Sequence, residues 1–263
     1  ISRICNNKDS MSFVLNKQLI RQRFARGMHS YAENAHIQRE SAERLIFELT
    51  AVTGTGYKRI FEFGAGAALL TGMIAESLQY ENLYVNDLAP EAQEYDKAAA
   101  ECEFIPGDVE HLDAVPNKLD LIIGNAAFQW LQDPQRALSR FASHLKPDGL
   151  LAFSTFGPHN LEEIADVTGV SLNYITPPEL RKHLWENFEI LCFHENVHHL
   201  EFPNPVAVLR HLKDTGTTGV DGRKWTKSAI AEFERNYLDR HSHGDGVRVT
   251  YHPLVVIARK LED

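Results

Sequence analysis

The segment Arg59-Ile-Phe-Glu-Phe-Gly-Ala-Gly-Ala-Ala-Leu-Leu-Thr71 joins a short apolar run, an acid and a Gly-x-Gly turn. This order is typical of a buried strand that turns into a helix. Gly64 and Gly66 permit positive φ angles and a close approach of the backbone to a ligand, and the following helix presents free N–H groups. Position 69 is leucine, whereas a dinucleotide-binding turn has a third glycine there. The segment therefore predicts a ligand-binding turn, but not one for NAD or FAD.

The next strand candidate supports a smaller ligand. Residues 82–87 form an apolar run that ends in Asp87. An acid about 20 residues beyond a glycine turn is the usual partner of ribose hydroxyls in open α/β sheets. A nucleoside without a pyrophosphate fits this pattern.

The rest of the chain repeats the strand–helix rhythm. Strands are predicted at about 82–87, 102–106, 119–124 and 149–156, with helices at about 67–79, 90–100 and 134–145 between them. Alternation of this kind indicates an α/β fold with a doubly wound, mostly parallel sheet. Two further strands are expected at about 188–202 and 247–260. Before the sheet, a helix is expected at 16–26, ended by Gly27, and a second helix from about Asn34.

Three motifs in succession resemble those of class I S-adenosylmethionine-dependent methyltransferases: Glu62-Phe-Gly-Ala-Gly66, Asp87-Leu-Ala-Pro-Glu91 and Gly107-Asp-Val109. The resemblance implies a Rossmann-like seven-stranded sheet with an antiparallel last strand, and S-adenosylmethionine as the cofactor. It places the glycine turn under the methionine part, Asp87 at the ribose and Asp108 at the adenine amine. Ala68 departs from a glycine common in the family, and we expect it to be tolerated. The implied cofactor contacts are Tyr31, Gln38, Glu62, Gly64, Ala65, Gly66, Asp87, Leu88, Asp108, Val109 and Asn125.

Four later segments narrow the resemblance. Asn125-Ala-Ala-Phe-Gln-Trp130, Phe153-Ser-Thr-Phe-Gly-Pro158, Leu212-Lys-Asp-Thr-Gly216 and Thr250-Tyr-His-Pro-Leu254 together are similar to the biotin-pathway malonyl-acyl-carrier-protein O-methyltransferases. That family methylates the free carboxylate of a malonyl thioester, so the implied partner is acyl carrier protein in its malonyl form. Two alternatives stay open. One is a small-molecule O-methyltransferase acting on a free polycarboxylate such as trans-aconitate, and the other is a non-catalytic regulatory protein that binds S-adenosylmethionine.

A carboxylate acceptor sets simple requirements for the site. It is ionised at neutral pH, so it needs no general base, and placement, exclusion of water and a cationic hold would suffice. Helices predicted at about 159–168, 177–187, 204–214 and 226–240 are expected to build the acceptor pocket. The expected catalytic residues are Tyr31, Asn125 and Gln129, and the expected substrate contacts are Trp130, Arg210, Lys213, Tyr251 and His252. A core role for Tyr31, a solvated helix face for Arg210 and Lys213, and a structural role for His252 remain alternatives.

Composition limits the other functions. A net charge of −9 argues against nucleic-acid binding, which needs a basic surface. The three cysteines are far apart and form no C-x-x-C pair, which favours a reducing cytoplasm and no disulfide framework. No metal ligand spacing and no membrane-spanning run is found, so we expect no metal and no membrane contact.

The expected organisation is a flexible leader at 1–15 and one methyltransferase domain at 16–263. Its helical insert, at about 157–187 and 203–245, would form the acceptor lobe. Within 206–227, five basic residues against two acidic ones indicate a local surface for an acidic carrier protein: Arg210, Lys213, Arg223, Lys224 and Lys227 against Asp214 and Asp221.

Overall fold

The computed structural model describes residues 15–215 and 225–262. The helices in these ranges are α1 Lys17–Asn34, α2 His36–Thr53, α3 Leu69–Ser77, α4 Gln93–Ala99, α5 Pro134–His144, α6 Glu162–Thr168, α7 Pro177–Leu184, α8 Pro205–Asp214 and α9 Lys227–His241. The strands are β1 Arg59–Phe63, β2 Asn82–Asp87, β3 Glu103–Pro106, β4 Leu119–Gly124, β5 Leu145–Phe156, β6 Phe188–Glu195, β7 His198–Phe202, β8 Ser242–His243, β9 Gly246–Tyr251 and β10 Pro253–Lys260.

The main sheet confirms the α/β prediction. Its seven strands run in the order β3-β2-β1-β4-β5-β10-β6. Strands β1 to β5 are paired in parallel, whereas β10 is antiparallel to both β5 and β6. The chain order reverses between β1 and β4, and ligands on open α/β sheets bind beyond the strand ends at such a switch point. The predicted glycine turn follows β1 and therefore lies at this point.

Both faces of the sheet are covered, which explains the continuous apolar runs of the central strands. Every residue of β4 is buried. Its odd-numbered Leu121 and Ile123 pack against α2 and α3, while Ile122 packs on the opposite face against α5 and α7. Alternation of apolar and polar residues is not expected in a strand that is buried on both faces.

Helix α1 differs from the prediction. It continues through Gly27 to Asn34, so Tyr31 lies in its last turns and not in a segment between two helices. A helical glycine costs about 1 kcal/mol relative to alanine, which burial of Ile20 and Met28 on the same helix can offset. Asn16 caps the helix, since its side chain accepts a hydrogen bond from Leu19 N at 3.0 Å.

The two long strands predicted near the end of the chain are also wrong in extent. Residues 188–202 divide into β6 and β7, and residues 246–260 divide into β9 and β10. In each case the two halves belong to different sheets. Strands β6 and β10 join the main sheet, whereas β7 and β9 belong to a separate three-stranded sheet in which β9 pairs with both β7 and β8. His252 and Pro253 mark the second break, where the proline has no N–H to continue a ladder.

A second core joins the small sheet to the inserted helices. It contains buried side chains of α8, α9 and β9, such as Val208, Tyr237 and Val249. Helix α7 does not belong to it, because Leu180 and Leu184 are buried against the main sheet. The predicted insert at 157–187 therefore divides between the two cores, and α6, α8 and α9 are the helices beside the small sheet.

Candidate active site

The glycine turn after β1 has the strained geometry that its residues suggest. Gly64 and Gly66 have φ angles of +68° and +58°, and Ala68 also adopts a left-handed conformation, with φ +60°. Ala68 thus occupies a glycine-like conformation at some energetic cost. The backbone N–H of Gly66 donates to Asp87 Oδ2 at 2.8 Å, which ties the turn to the end of β2. The N–H of Ala89 donates to Asp87 Oδ1 at 2.7 Å.

Three buried carboxylates, Glu62, Asp87 and Asp96, lie next to this turn. Neither oxygen of Glu62 makes a hydrogen bond of normal geometry in the described ranges, because the nearby Thr71 hydroxyl, which lowers the pKa of Glu62 in part, donates to Asp96 Oδ1 at 3.1 Å. Burial, together with the charges of Asp96 and Asp87, raises the pKa of Glu62 well above its usual range. Burial also raises the pKa of Asp87 to about 6 and that of Asp96 to about 7. Buried acids of this kind favour a positively charged ligand, which would supply the missing hydrogen bonds and counter-charge.

A cavity opens above the turn, and we call it the donor cavity. Its floor is formed by the ends of β1, β2 and β4 and its roof by α1. The cofactor contacts expected from the sequence that line it are Tyr31, Glu62, Gly64, Ala65, Gly66, Asp87, Leu88, Asp108, Val109 and Asn125. Gln38 does not line it. From α1, the further lining residues are Lys17, Ile20, Arg21, Phe24, Gly27 and Met28.

Lys17 holds the N-terminal end of α1 over the donor cavity. Its ammonium group lies 3.2 Å from Asp108 Oδ1 and 2.7 Å from Glu110 Oε2. Glu110 in turn accepts hydrogen bonds from the backbone N–H groups of Gln132 and Asp133. Lys17 and Glu110 were not predictable from the sequence. Lys17 is separated along the chain from Asp108 by 91 positions and from Glu110 by 93, and such pairs carry no local signal of contact.

A second cavity, the acceptor cavity, shares Phe24, Tyr31, Ala126 and Trp130 with the donor cavity. Its remaining lining residues are Gln38, Gln129, Phe156, Asn160, Leu161, Ile164, Thr168, Val170, Ser171, Leu172, Tyr174, Leu209, Leu212, Thr215, Trp225 and Tyr251. None of these described lining residues is charged. The wall is therefore apolar with a few neutral hydrogen-bonding groups.

The amides of Asn125 and Gln129 are engaged in the protein. Asn125 Nδ2 donates to the backbone oxygen of Gln38 at 3.0 Å, and Asn125 Oδ1 accepts from Ser154 Oγ at 2.6 Å. Gln129 Nε2 donates to the oxygen of Ala126 at 2.6 Å. These bonds join the end of β4 to α2 and β5. Both amides thus shape the boundary of the two cavities.

The expected cationic contacts are not brought to the site. Arg210 and Lys213 are exposed on α8 and line neither cavity, whereas their neighbours Leu209 and Leu212 face the acceptor cavity. His252 is buried but also lies outside both linings, with its Nε2 2.9 Å from Glu195 Oε1 and its Nδ1 accepting from His159 N. In a helix, residues 209 and 212 lie on one face and residues 210 and 213 on the neighbouring face. A small rotation of the helix about its axis therefore decides which of the two pairs faces the ligand. Arg223 and Lys224 lie outside the described residues.

No helix in the described ranges is long and apolar enough to cross a membrane. Within the same ranges no three side chains of His, Cys, Asp or Glu form a group that could hold a metal ion.

Comparison with known proteins agrees with the geometry. The family model described as a methyltransferase domain matches residues 61–153, from β1 into β5. A crystal structure of a candidate methyltransferase from Bacillus halodurans C-125 superposes with a TM-score of 0.62 at 14% identity, over 83% of this chain and 99% of that one. The fold and the site thus define a class I methyltransferase.

Relatives of closer similarity define the family. The malonyl-[acyl-carrier protein] O-methyltransferase of Prosthecochloris aestuarii is 41% identical over 94% of each chain. The protein of the same name from Chlorobium luteolum is 34% identical over 96% of this chain and 99% of its own. The chain belongs to the malonyl-[acyl-carrier protein] O-methyltransferase family.

Proposed function

We propose that the protein transfers a methyl group from S-adenosylmethionine to the free carboxylate of a malonyl thioester carried by acyl carrier protein, an early step of biotin synthesis. The observation that carries the proposal is the shared wall of the two cavities. Phe24, Tyr31, Ala126 and Trp130 border both, so a donor in one and an acceptor in the other would meet there. Direct juxtaposition of two reactants is the main requirement of such a transfer.

The donor cavity fits S-adenosylmethionine. The carboxylate of Glu62, which has no partner in the described chain, suits the ammonium group of the methionine part. Gly66 leaves open space above the turn, since a Cβ at this position would meet nothing within 4 Å. Asp87 would hold the ribose, and Asp108 and Val109 would contact the adenine, since all three line the donor cavity. When bound, the cofactor supplies a methyl group on a positively charged sulfur.

The residues at the shared wall would orient the reactants and exclude water. Burial and the charge of Asp87 raise the pKa of Tyr31, so its phenol stays protonated at neutral pH. Tyr31 therefore acts as a hydrogen-bond donor and not as a base, and an ionised carboxylate needs no base. Transfer of the methyl group from the sulfonium to the carboxylate would leave a neutral thioether and a neutral ester. The apolar walls of the acceptor cavity favour this step, because it removes two opposite charges from a site of low polarity.

The uncharged acceptor cavity also bears on the alternatives. A free polycarboxylate such as trans-aconitate would bring several charges into a wall whose described residues offer no cation to pair with them, which is costly. A thioester arm with one terminal carboxylate brings only one. A regulatory protein without catalysis would not require an acceptor cavity that shares lining residues with the donor cavity.

The test is a radiolabelled methyl-transfer assay that compares malonyl-acyl carrier protein, malonyl-coenzyme A and trans-aconitate. We expect the malonyl carrier protein to be the best acceptor. Asp87→Ala should lower donor affinity at least tenfold, because hydrogen bonds to a charged acceptor are lost. Asp113→Ala, at an exposed acid outside both cavities, is the matched control. Faster methylation of trans-aconitate than of either malonyl thioester would refute the proposed function.

The carrier protein would dock beside the mouth of the acceptor cavity. Arg210 and Lys213 are exposed on α8 next to the lining residues, and Lys227 is exposed at the start of α9. Surface charges of this kind mainly affect the association rate. Charge reversal of Arg210 and Lys213 should therefore raise the KM for malonyl-acyl carrier protein, with little effect on malonyl-coenzyme A. Equal loss of activity on both acceptors would exclude a docking role.

The odd number of cysteines, three, and their wide spacing further favour a cytoplasmic location.

A further inference from the structure

Three tyrosines from distant segments converge in the acceptor cavity. Tyr31 comes from α1, Tyr174 from the segment between α6 and α7, and Tyr251 from the end of β9, and all three line the same wall. The electrostatic neighbours of the Tyr251 phenol include both Tyr174 and Tyr31.

Each phenol can direct a hydrogen into the cavity. Tyr31 has no hydrogen-bond partner in the described ranges. The hydroxyl oxygen of Tyr174 accepts a hydrogen bond from Asn160 Nδ2 at 2.8 Å, which leaves its own hydrogen available. Tyr251 Oη lies 2.8 Å from Nε2 of His211 on α8. If this nitrogen carries the hydrogen, it donates to Tyr251, and the Tyr251 hydroxyl is then free to donate into the cavity.

We propose that the hydroxyls of Tyr31, Tyr174 and Tyr251 form the binding site for the acceptor carboxylate, and that His211 holds Tyr251 with its hydrogen directed into the cavity. The identity of the acceptor rests on the proposed function. The class of ligand, a molecule with a single terminal carboxylate, rests on the geometry of the three hydroxyls. His211 is a positioning residue, because it acts through Tyr251.

The tyrosine hydroxyls are neutral hydrogen-bond donors, and this affects the reaction. They hold a carboxylate through charge-assisted hydrogen bonds but do not cancel its charge, whereas a lysine or arginine would partly cancel it. The carboxylate oxygen therefore keeps its nucleophilic character. Methylation removes the charge, and hydrogen bonds to the neutral ester are weaker. The same phenols that hold the acid would therefore release the ester.

The charge preference of the site can be tested by equilibrium binding. The probes are malonyl-N-acetylcysteamine and its methyl ester, titrated calorimetrically into protein saturated with S-adenosylhomocysteine. Wild-type protein should bind the acid more tightly than the ester. Tyr174→Phe and Tyr251→Phe should each weaken binding of the acid about ten- to hundredfold, with little change for the ester.

The matched control is Tyr237→Phe. Tyr237 is buried in the same core, but its hydroxyl donates to the backbone oxygen of Arg248 at 2.7 Å and does not face the cavity. This variant should bind both probes as the wild type does. For the positioning role, His211→Leu should weaken binding of the acid, whereas His211→Gln, which retains an N–H donor, should largely restore it.

The outcomes separate this inference from the proposed function. If wild-type protein binds the acid through the phenols but does not methylate malonyl-acyl carrier protein, the proposed function fails and the carboxylate site stands. If the Tyr174 and Tyr251 variants bind the acid as tightly as the wild type, or lose acid and ester equally, the carboxylate site is refuted whatever the enzyme methylates. Equal effects of His211→Leu and His211→Gln would refute the positioning role.

Discussion

Replacement of Glu62 by glutamine should have opposite effects on the ligand-free and the donor-bound protein. In the ligand-free protein the buried carboxylate makes no hydrogen bond of normal geometry in the described ranges, since the nearby Thr71 hydroxyl donates to Asp96, and it lies near Asp87 and Asp96. Since its pKa is raised in the folded state, the wild type loses stability from this group as the pH rises above the pKa of the unfolded chain. Glutamine has the same shape and no charge. The stability gain of the variant should thus be small near pH 4 and reach about 1 kcal/mol or more at pH 8.

Donor binding should change in the other direction. A hydrogen bond between charged groups contributes about 1.5–3 kcal/mol, so its loss should weaken S-adenosylmethionine binding by about ten- to hundredfold. Urea unfolding at several pH values measures the first effect and calorimetric titration the second. Glu76→Gln, at an exposed acid of α3, is the control and should change neither quantity. A pH-independent stability difference, or unchanged donor affinity, would refute the role of Glu62 as the partner of a cationic ligand.

The other acids of the donor site predict a pH dependence of stability. In the folded protein the pKa is raised to about 6 for Asp87 and about 7 for Asp96, so the native state keeps protons that the unfolded chain releases. The stability of the ligand-free protein should therefore fall between about pH 4 and pH 7, and a rise in urea unfolding experiments would contradict this. Gly64→Ala should destabilise the protein more than Gly66→Ala does, by at least about 1 kcal/mol in thermal unfolding. Both positions have positive φ, but only a Cβ at position 64 would clash with another atom, the Cβ of Ala127. Lys17→Met removes the ion pairs that hold α1 to Asp108 and Glu110, so it should speed dissociation of the bound donor in stopped-flow measurements and abolish the dependence of that rate on salt. An unchanged rate would show that α1 does not limit release.

Much of the fold was predictable because its signals are local. The apolar runs of β1, β2 and β4 and the helices between them lie in continuous stretches of sequence, and the right-handed connection of parallel strands then restricts the topology. The Gly64–Gly66 turn and the acid at Asp87 were recognisable for the same reason. Their common location follows from the rule that ligands bind at the carboxyl ends of parallel strands.

Other features depended on contacts that sequence does not show. Gly27 was expected to end a helix, but the buried side chains on either side of it keep α1 continuous, and tertiary packing overrides a weak local preference. Residues 247–260 were expected to form one strand, but the two halves pair with different neighbours. In both cases the partners in space decided where the element continues or ends.

The sequence by itself determined the class of fold, the glycine turn and the order of the acids beside it, since each depends on neighbouring residues and their spacing. Only the tertiary structure decided the nature of the acceptor cavity. Arg210 and Lys213 do not line it, whereas Tyr174 does and His211 contacts the lining residue Tyr251. The physical reason is that a pocket wall is assembled from side chains of several elements, and the rotation of each element about its own axis, which packing sets, determines which of its residues meets the ligand.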